Sequence, residues 1–152
     1  MLRSFLGKFK KTKKTKIPYN SKLISKFHSD HKKIIKIIQK IIDAIEKNDD
    51  KTIHASLKSL KMSLLGHFME EDTMLYQYLK EYYKDNPSTY ELIIEFYSSI
   101  KEIQRTLLKF LDKYLAKTKY DIYFEKEFEL IVQGLSSRVE SEESSLYTLY
   151  LK

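Results

Sequence analysis

Apolar residues recur at three- and four-residue intervals over four long stretches of the chain, with charged residues between them. Such spacing places the apolar side chains on one face of an α-helix. The four stretches run over about 22–47, 51–84, 89–117 and 122–150. The pattern therefore predicts four amphipathic helices, each with one buried face.

Short polar segments separate the predicted helices. Pro18 cannot donate a backbone hydrogen bond, and Asn20 or Ser21 can cap the first helix. Ser88 and Glu91 have the spacing of a capping box at the start of the third helix. Because short connections make consecutive helices antiparallel neighbours, the sequence predicts an all-α, up-down-up-down antiparallel four-helix bundle.

Composition agrees with one helical domain. The chain has 152 residues, with only three Gly and two Pro, which favours long helices. Cysteine is absent, so disulfides, thiolate metal sites and cysteine nucleophiles are excluded. The sequence lacks an apolar run of the roughly 18 residues that a membrane-spanning helix needs, and it lacks signal-peptide features. We expect a cytoplasmic protein with its bundle over residues 18–152.

The net charge of +7 is concentrated at the N-terminus. Residues 1–16 hold seven of the 28 basic residues and no acid, so 21 basic residues remain against 21 acidic ones. A neutral bundle argues against a nucleic-acid-binding domain. Residues 1–17 are predicted to be a basic amphipathic or disordered tail, able to contact the inner membrane surface peripherally or an acidic partner. This contact would use Leu2, Phe5, Leu6, Phe9, Lys10 and Lys11.

Polar residues interrupt the predicted apolar faces at about one height of the bundle. Each helical residue rises about 1.5 Å, so positions in antiparallel neighbours can be matched by counting from the connecting loop. The predicted polar layer contains His31, His67, Glu71, Tyr97, Gln104, Arg138 and Glu142. His54 falls about 20 Å of helix away from this layer and is predicted at the surface or a helix end. His28, one turn from His31, is an additional ligand or a rim residue.

Two kinds of chemistry suit this layer. His31, His67, Glu71 and Glu142 offer two nitrogens and two carboxylates to iron, manganese or zinc. Alternatively, Arg138 can neutralise Glu142 and Glu71 in an ion-pair network without any metal. Arginine cannot be a ligand, and its charge opposes a second cation. Phosphate-loop, nucleophile-elbow and HExxH motifs are absent, so we expect a protein that is not an enzyme.

Glycines and tyrosines lead to two smaller expectations. Gly66 and Gly134 each precede an unusual polar pair by a turn or less, where a small residue would let a neighbouring helix come close. Six tyrosines near predicted helix ends are expected to cover the ends of the bundle. They are Tyr76, Tyr78, Tyr82, Tyr83, Tyr147 and Tyr150.

Two segments resemble the hemerythrin-like, or HHE cation-binding, family, and in particular its small stand-alone bacterial members. "SDHKKIIKII" contains His31, and "GHFMEEDTMLY" contains the H-x-x-x-E pair of His67 and Glu71. The resemblance covers about 20–150 and implies a four-helix bundle that holds two irons through five histidines and two carboxylates. Its implied roles involve oxygen, nitric oxide or iron.

This chain departs from that family pattern. The third predicted helix has no histidine, and Arg138 stands where the last H-x-x-x-E histidine belongs. The resemblance therefore implies a depleted site with one ion or none, in a protein that binds or senses a metal or a small gas.

The pair of Arg138 and Glu142, together with "GHF" on the second helix, is also similar to the regulators of sigma D, which act as anti-sigma factors. This local similarity gives a second hypothesis, in which the bundle binds a sigma factor.

Overall fold

A computed structural model describes residues 15–151, which form four long helices and no strand. Helix α1 spans Leu23–Glu46, and α3 spans Pro87–Leu115. Helix α2 runs through Asp50–Glu70, a π-helical segment Glu71–Tyr76 and a last turn Gln77–Tyr82. Helix α4 runs through Ile122–Ser141, a π-helical segment Glu142–Leu146 and Tyr147–Tyr150.

The helices pack around one core as the predicted bundle. Helix α1 contacts α2 and α4, and α3 contacts the same two helices from the other side. Connections of three, four and six residues join them, short enough to make consecutive helices antiparallel neighbours. The core between them is aliphatic along α1 and α2 and largely aromatic near the α3–α4 connection.

Side-chain caps fix where three helices begin. Asp49 accepts a hydrogen bond from the Thr52 N–H at 3.1 Å, and Asp121 caps α4 in the same way. At α3 the cap is Asn86, which accepts from the Thr89 N–H, with Pro87 as the first helical residue. The predicted capping box at the start of this helix is therefore wrong, because the helix begins before it.

Most predicted inward residues are buried, but the phase changes after each π-helical segment. Leu75 and Tyr76 are buried in α2, whereas Met74, which a regular helical period would turn inward, is only half-buried. In α4, Tyr147 and Tyr150 are buried and Leu149 is half-buried. A π-helical turn pairs residue i with i+5 and so holds one extra residue, which turns the following side chains to a new direction.

The two helix-interior glycines do not serve close packing. A Cβ atom built at Gly66 or Gly134 would meet no atom within 4 Å apart from the immediate chain neighbourhood. The prediction that a neighbouring helix comes close there is wrong, and both positions face open space.

The N-terminal approach to the bundle is tied to its tyrosine-rich end. The Lys16 N–H donates to the Glu81 carboxylate at 2.7 Å, and the Asn20 N–H donates to the Tyr150 hydroxyl at 2.7 Å. The tail residues predicted to touch a membrane or partner lie outside the described residues. Between residues 15 and 151, no helix combines the length and apolar character that crossing a membrane requires.

Candidate metal centre

Four buried ionisable side chains meet inside the bundle. His31 comes from α1, His67 and Glu71 from α2, and Glu142 from α4, and each is at most 4% exposed. One nitrogen or oxygen from each residue lies within 4.8 Å of the others. The structure thus brings together the four residues that the sequence nominated as ligands.

The distances between these atoms suit a shared cation. His31 Nε2 lies 3.2 Å from His67 Nε2 and 3.1 Å from Glu142 Oε1, and His67 Nε2 lies 3.4 Å from Glu71 Oε2. Adjacent ligand atoms that are each about 2.1 Å from one metal ion are roughly 3 to 3.4 Å apart in tetrahedral or octahedral geometry. The three distances fall in that range.

A carboxylate orients each imidazole from behind. His67 Nδ1 lies 3.0 Å from Asp30 Oδ2, and His31 Nδ1 lies 2.6 Å from Glu143 Oε2. A histidine whose Nδ1–H is held by a carboxylate presents its Nε2 lone pair outward, which is the usual arrangement of a metal-binding histidine. Both Nε2 atoms face the centre of the cluster in this way.

Each carboxylate of the cluster begins a π-helical segment. In α2 the segment starts at Glu71, and in α4 it starts at Glu142, in each case four residues after the polar partner on the same helix. Such segments are rare and often occur at functional sites. They place Tyr76 and Tyr147, each five residues after its carboxylate, in the core beside the cluster.

Tyr147 connects the two carboxylates. Its hydroxyl lies 2.8 Å from Glu71 Oε2, where it donates, and 3.3 Å from both Glu142 Oε1 and His31 Nε2. The second oxygen of Glu71, Oε1, is buried without a hydrogen-bond partner. A buried carboxylate oxygen normally has a partner, so this atom is available to an additional positively charged group.

Arg138 extends the cluster toward α3. Its Nε donates to Glu142 Oε2 at 3.3 Å, while Nη2 donates to the Tyr76 hydroxyl at 2.5 Å and to the Phe96 carbonyl at 3.2 Å. The predicted bridge from Arg138 to Glu71 is absent among these contacts. On that side, the guanidinium donates to the Tyr76 hydroxyl instead. Arg138 therefore neutralises Glu142 and leaves Glu71 to the histidines.

Protonation differs between the two carboxylates. Burial and the charge of Glu142 raise the pKa of Glu71 well above its usual range. Burial also disfavours ionised Glu142, but the His31 hydrogen bond and the Arg138 charge outweigh it and lower the pKa of Glu142. Burial opposes a charged His67, yet Glu71 and Asp30 raise the pKa of His67 to about 9. A cation would take the place of the proton on His67.

The other predicted residues lie around the cluster rather than in it. Tyr97 is half-buried and packs edge-on against Tyr76, with ring centroids 5.1 Å apart. Gln104 is half-buried and has no described hydrogen bond to the cluster. His28 is a rim residue, 3.2 Å from Glu143, and His54 binds the Lys117 carbonyl near the α3–α4 connection.

Sequence reasoning missed four residues that complete the site, namely Asp30, Glu143, Tyr76 and Tyr147. Asp30 and Glu143 stand next to ligand residues in the sequence, so adjacency was an available signal. The expectation that Tyr76 and Tyr147 cover the bundle ends is wrong, because the π-helical segments turn both into the core. A regular helical period gives no sign of that turn.

Comparison with protein families decides the identity of the bundle. The family model described as the hemerythrin HHE cation-binding domain matches residues 22–150. The chain belongs to the hemerythrin HHE family. This confirms the resemblance to the family, while its small stand-alone bacterial branch and the similarity to the regulators of sigma D gain no support. No curated protein and no solved structure matches the chain.

Membership of the hemerythrin family agrees with the chemistry of the cluster. Such domains bind metal, typically iron, and the four converging side chains of this hemerythrin-type domain form a possible metal-binding set. The set draws on three of the four helices, and α3 supplies none of its members.

Proposed function

We propose that this protein binds a single divalent cation of the iron, manganese or zinc class, held by His31, His67, Glu71 and Glu142. The observation that carries the proposal is the convergence of their four ligand atoms within 4.8 Å of one another. Two imidazole nitrogens and two carboxylate oxygens suit this class of cation better than the all-oxygen sets preferred by calcium or magnesium.

Two features of the surroundings support a cation at this position. Both imidazoles are already held through Nδ1, so little freedom is lost when Nε2 binds. The unpartnered Oε1 of Glu71 gives a buried negative group that a cation would satisfy. A bound cation would act as a Lewis acid and would offset the repulsion between Glu71 and Glu142.

Arg138 supports one cation rather than two. Its guanidinium binds Glu142 and fills the space between Tyr76 and the Phe96 backbone. A fixed positive charge there raises the electrostatic cost of a second cation in the same layer. The departure from the two-iron pattern thus has a physical basis in one side chain.

We further propose a binding or sensing role without catalysis. The ligands come from α1, α2 and α4, so a cation ties three helices together and couples its own concentration to the stability of the bundle. Four protein ligands can complete the coordination of zinc, whereas iron or manganese would retain positions for a small diatomic ligand.

Elemental analysis of protein purified without chelators tests the proposal. We expect about one equivalent of cation per chain, and a higher melting temperature when that cation is added back after chelation. His54→Ala serves as the control and should bind as much cation as the wild type, because that histidine lies away from the cluster. Metal far below one equivalent, with no change in melting temperature on adding Fe²⁺, Mn²⁺ or Zn²⁺, would overturn the proposal.

A further inference from the structure

The four ligands are almost fully buried, yet a surface crevice reaches one of them, His67. It lies between α1 and α2 and has a volume of about 200 Å³. Its lining consists of His67 together with Lys26, Asp30, Lys33, Met62, Ser63, Gly66 and Glu70. Two larger cavities, of about 300 and 360 Å³, lie between α3 and α4, and none of the four ligands lines them.

Two carboxylates of decreasing exposure line this crevice outside His67, and the side chains of Lys26 and Lys33 line it as well. The side chain of Glu70 is 33% exposed, that of Asp30 is 15% exposed, and that of His67 is 3% exposed. Asp30 also holds His67 Nδ1 at 3.0 Å, so the last carboxylate before the ligands touches a ligand directly. A cation moving inward would pass from one carboxylate to the next before it meets an imidazole.

Lys26 spans the opening of the crevice. Its Nζ lies 3.2 Å from Asp30 on its own helix and 2.5 Å from Glu70 on α2. The side chain of Lys26 is 48% exposed, and ion pairs this exposed contribute little stability. Lys26 can therefore leave the two carboxylates to an arriving cation at small cost.

Gly66 keeps the crevice open. It precedes His67 directly, and a Cβ atom at this position would extend into empty space. Glycine costs a helix interior roughly 1 kcal/mol relative to alanine, so a side chain here would favour the helix while it filled the crevice. A larger side chain at this position would therefore narrow the crevice without a clash in the bundle.

We infer that this crevice is the path by which a divalent cation reaches and leaves the buried ligands, and that Gly66 keeps the path open. The inference rests on the proposed cation-binding function. It concerns the rate of exchange, because a side chain in the path raises the barrier in both directions without touching the ligands.

The test compares Gly66→Leu with Gly134→Leu, using Zn²⁺ alone as the probe. Gly134 is also helical, exposed and surrounded by open space, but it lines a cavity away from the ligands. Stopped-flow mixing with a zinc indicator gives the uptake rate, and excess EDTA gives the release rate. We expect both rates to fall at least about tenfold in Gly66→Leu, with Kd unchanged, and to stay at the wild-type values in Gly134→Leu.

Gly66→Ala distinguishes the effect of blocking the crevice from the effect of a more stable helix. Alanine gives most of the increase in helix stability while leaving the crevice largely open. We expect its rates to stay near those of the wild type. If Gly66→Leu does not fold, Ser63→Leu, one turn earlier in the same crevice, takes its place.

The outcomes separate the two claims. Wild-type protein that binds none of Zn²⁺, Fe²⁺ and Mn²⁺ at equilibrium would overturn both. Full Zn²⁺ binding with equal rates in the two leucine variants would overturn the crevice alone. Weaker affinity without slower uptake would also overturn the crevice, because it would indicate disturbed ligands rather than a blocked path.

Discussion

Helices α2 and α4 use the same backbone device with different side chains. Each carries a polar residue, a glutamate four residues later that begins a π-helical segment, and a tyrosine five residues after that glutamate. In α2 the polar residue is His67, and in α4 it is Arg138. The two halves of the site thus differ at one position. The α2 half, with His67, offers a pair of ligands, whereas in the α4 half Arg138 already neutralises the carboxylate of Glu142.

The two halves are also linked crosswise by their tyrosines. Tyr147 of α4 donates to Glu71 of α2, while Tyr76 of α2 accepts from Arg138 of α4. The α4 half thus supports the α2 half: it retains one carboxylate for a cation and uses its other polar groups to hold the layer together.

Removing the histidine of the α2 half should have the largest effect. In His67→Leu, Glu71 loses its buried counter-group, so we expect a loss of about 3 to 5 kcal/mol in the free energy of unfolding and no cation binding. Urea unfolding and isothermal titration with Zn²⁺ measure both quantities. His54→Leu is the control, and equal losses in the two variants would contradict the special role of His67.

Raising the pH should weaken the α2 half in the chelator-treated protein. The pKa of His67 lies at about 9 in the folded state against its ordinary 6.5, so the folded chain holds the proton more tightly. The stabilisation is complete below pH 6.5 and is lost as the pH rises to 9, about 3 kcal/mol in all. Urea unfolding across this range measures it.

His67→Gln should flatten that part of the pH profile. The lowered pKa of Glu142 keeps the α4 half ionised throughout the same range. An equally steep loss in His67→Gln would therefore contradict the assignment to the α2 half.

Removing the arginine of the α4 half should act in two opposite directions. In Arg138→Met, the loss of its hydrogen bonds destabilises the cation-free protein by about 2 kcal/mol. The loss of a positive charge from the layer should tighten Zn²⁺ binding by about tenfold or more. Isothermal titration checks the affinity against Arg105→Met, an exposed arginine on α3. Weaker binding in Arg138→Met would show that Arg138 supports the ligands directly.

The two tyrosines should give the smallest and most selective effects. Tyr147→Phe and Tyr76→Phe each remove one buried hydroxyl, at a cost of about 1 kcal/mol. We expect only Tyr147→Phe to weaken Zn²⁺ binding, because its hydroxyl contacts the ligand Glu71 whereas that of Tyr76 contacts Arg138. Equal effects on Zn²⁺ affinity would remove the distinction between the halves.

The fold was predictable because apolar spacing and polar loops determine it. Helix bounds agree within about two residues, and the layer of His31, His67, Glu71 and Glu142 follows from the rise per residue alone. Counting along a regular helix also placed Tyr97 and Gln104 in the layer, although they lie around it. The polar residues do lie at about one level along the bundle axis. Whether a residue at that level joins the cluster also depends on the direction in which its side chain points.

The sequence did not reveal the directions in which the side chains in and after the π-helical segments point. A constant helical period would bury Met74 and Leu149, but one π-helical segment contains Met74 and the other ends shortly before Leu149. The structure therefore buries Tyr76 and Tyr147 instead, and through them the crosswise links between α2 and α4. Asp30 and Glu143 were missed for a different reason: each stands next to a proposed ligand in the sequence, and the neighbour of an inward helical residue is expected to face solvent.

The π-helical segments make the length of α2 and α4 part of the site. Each holds one residue more than an α-helix would need between its glutamate and the last turn. If α4 kept all of its residues but closed into a regular α-helix, everything after the segment would rotate by about 100°. Tyr147 would then leave the core although no ligand had changed. In this family member the local helix type can therefore matter as much as the identity of a residue in the centre.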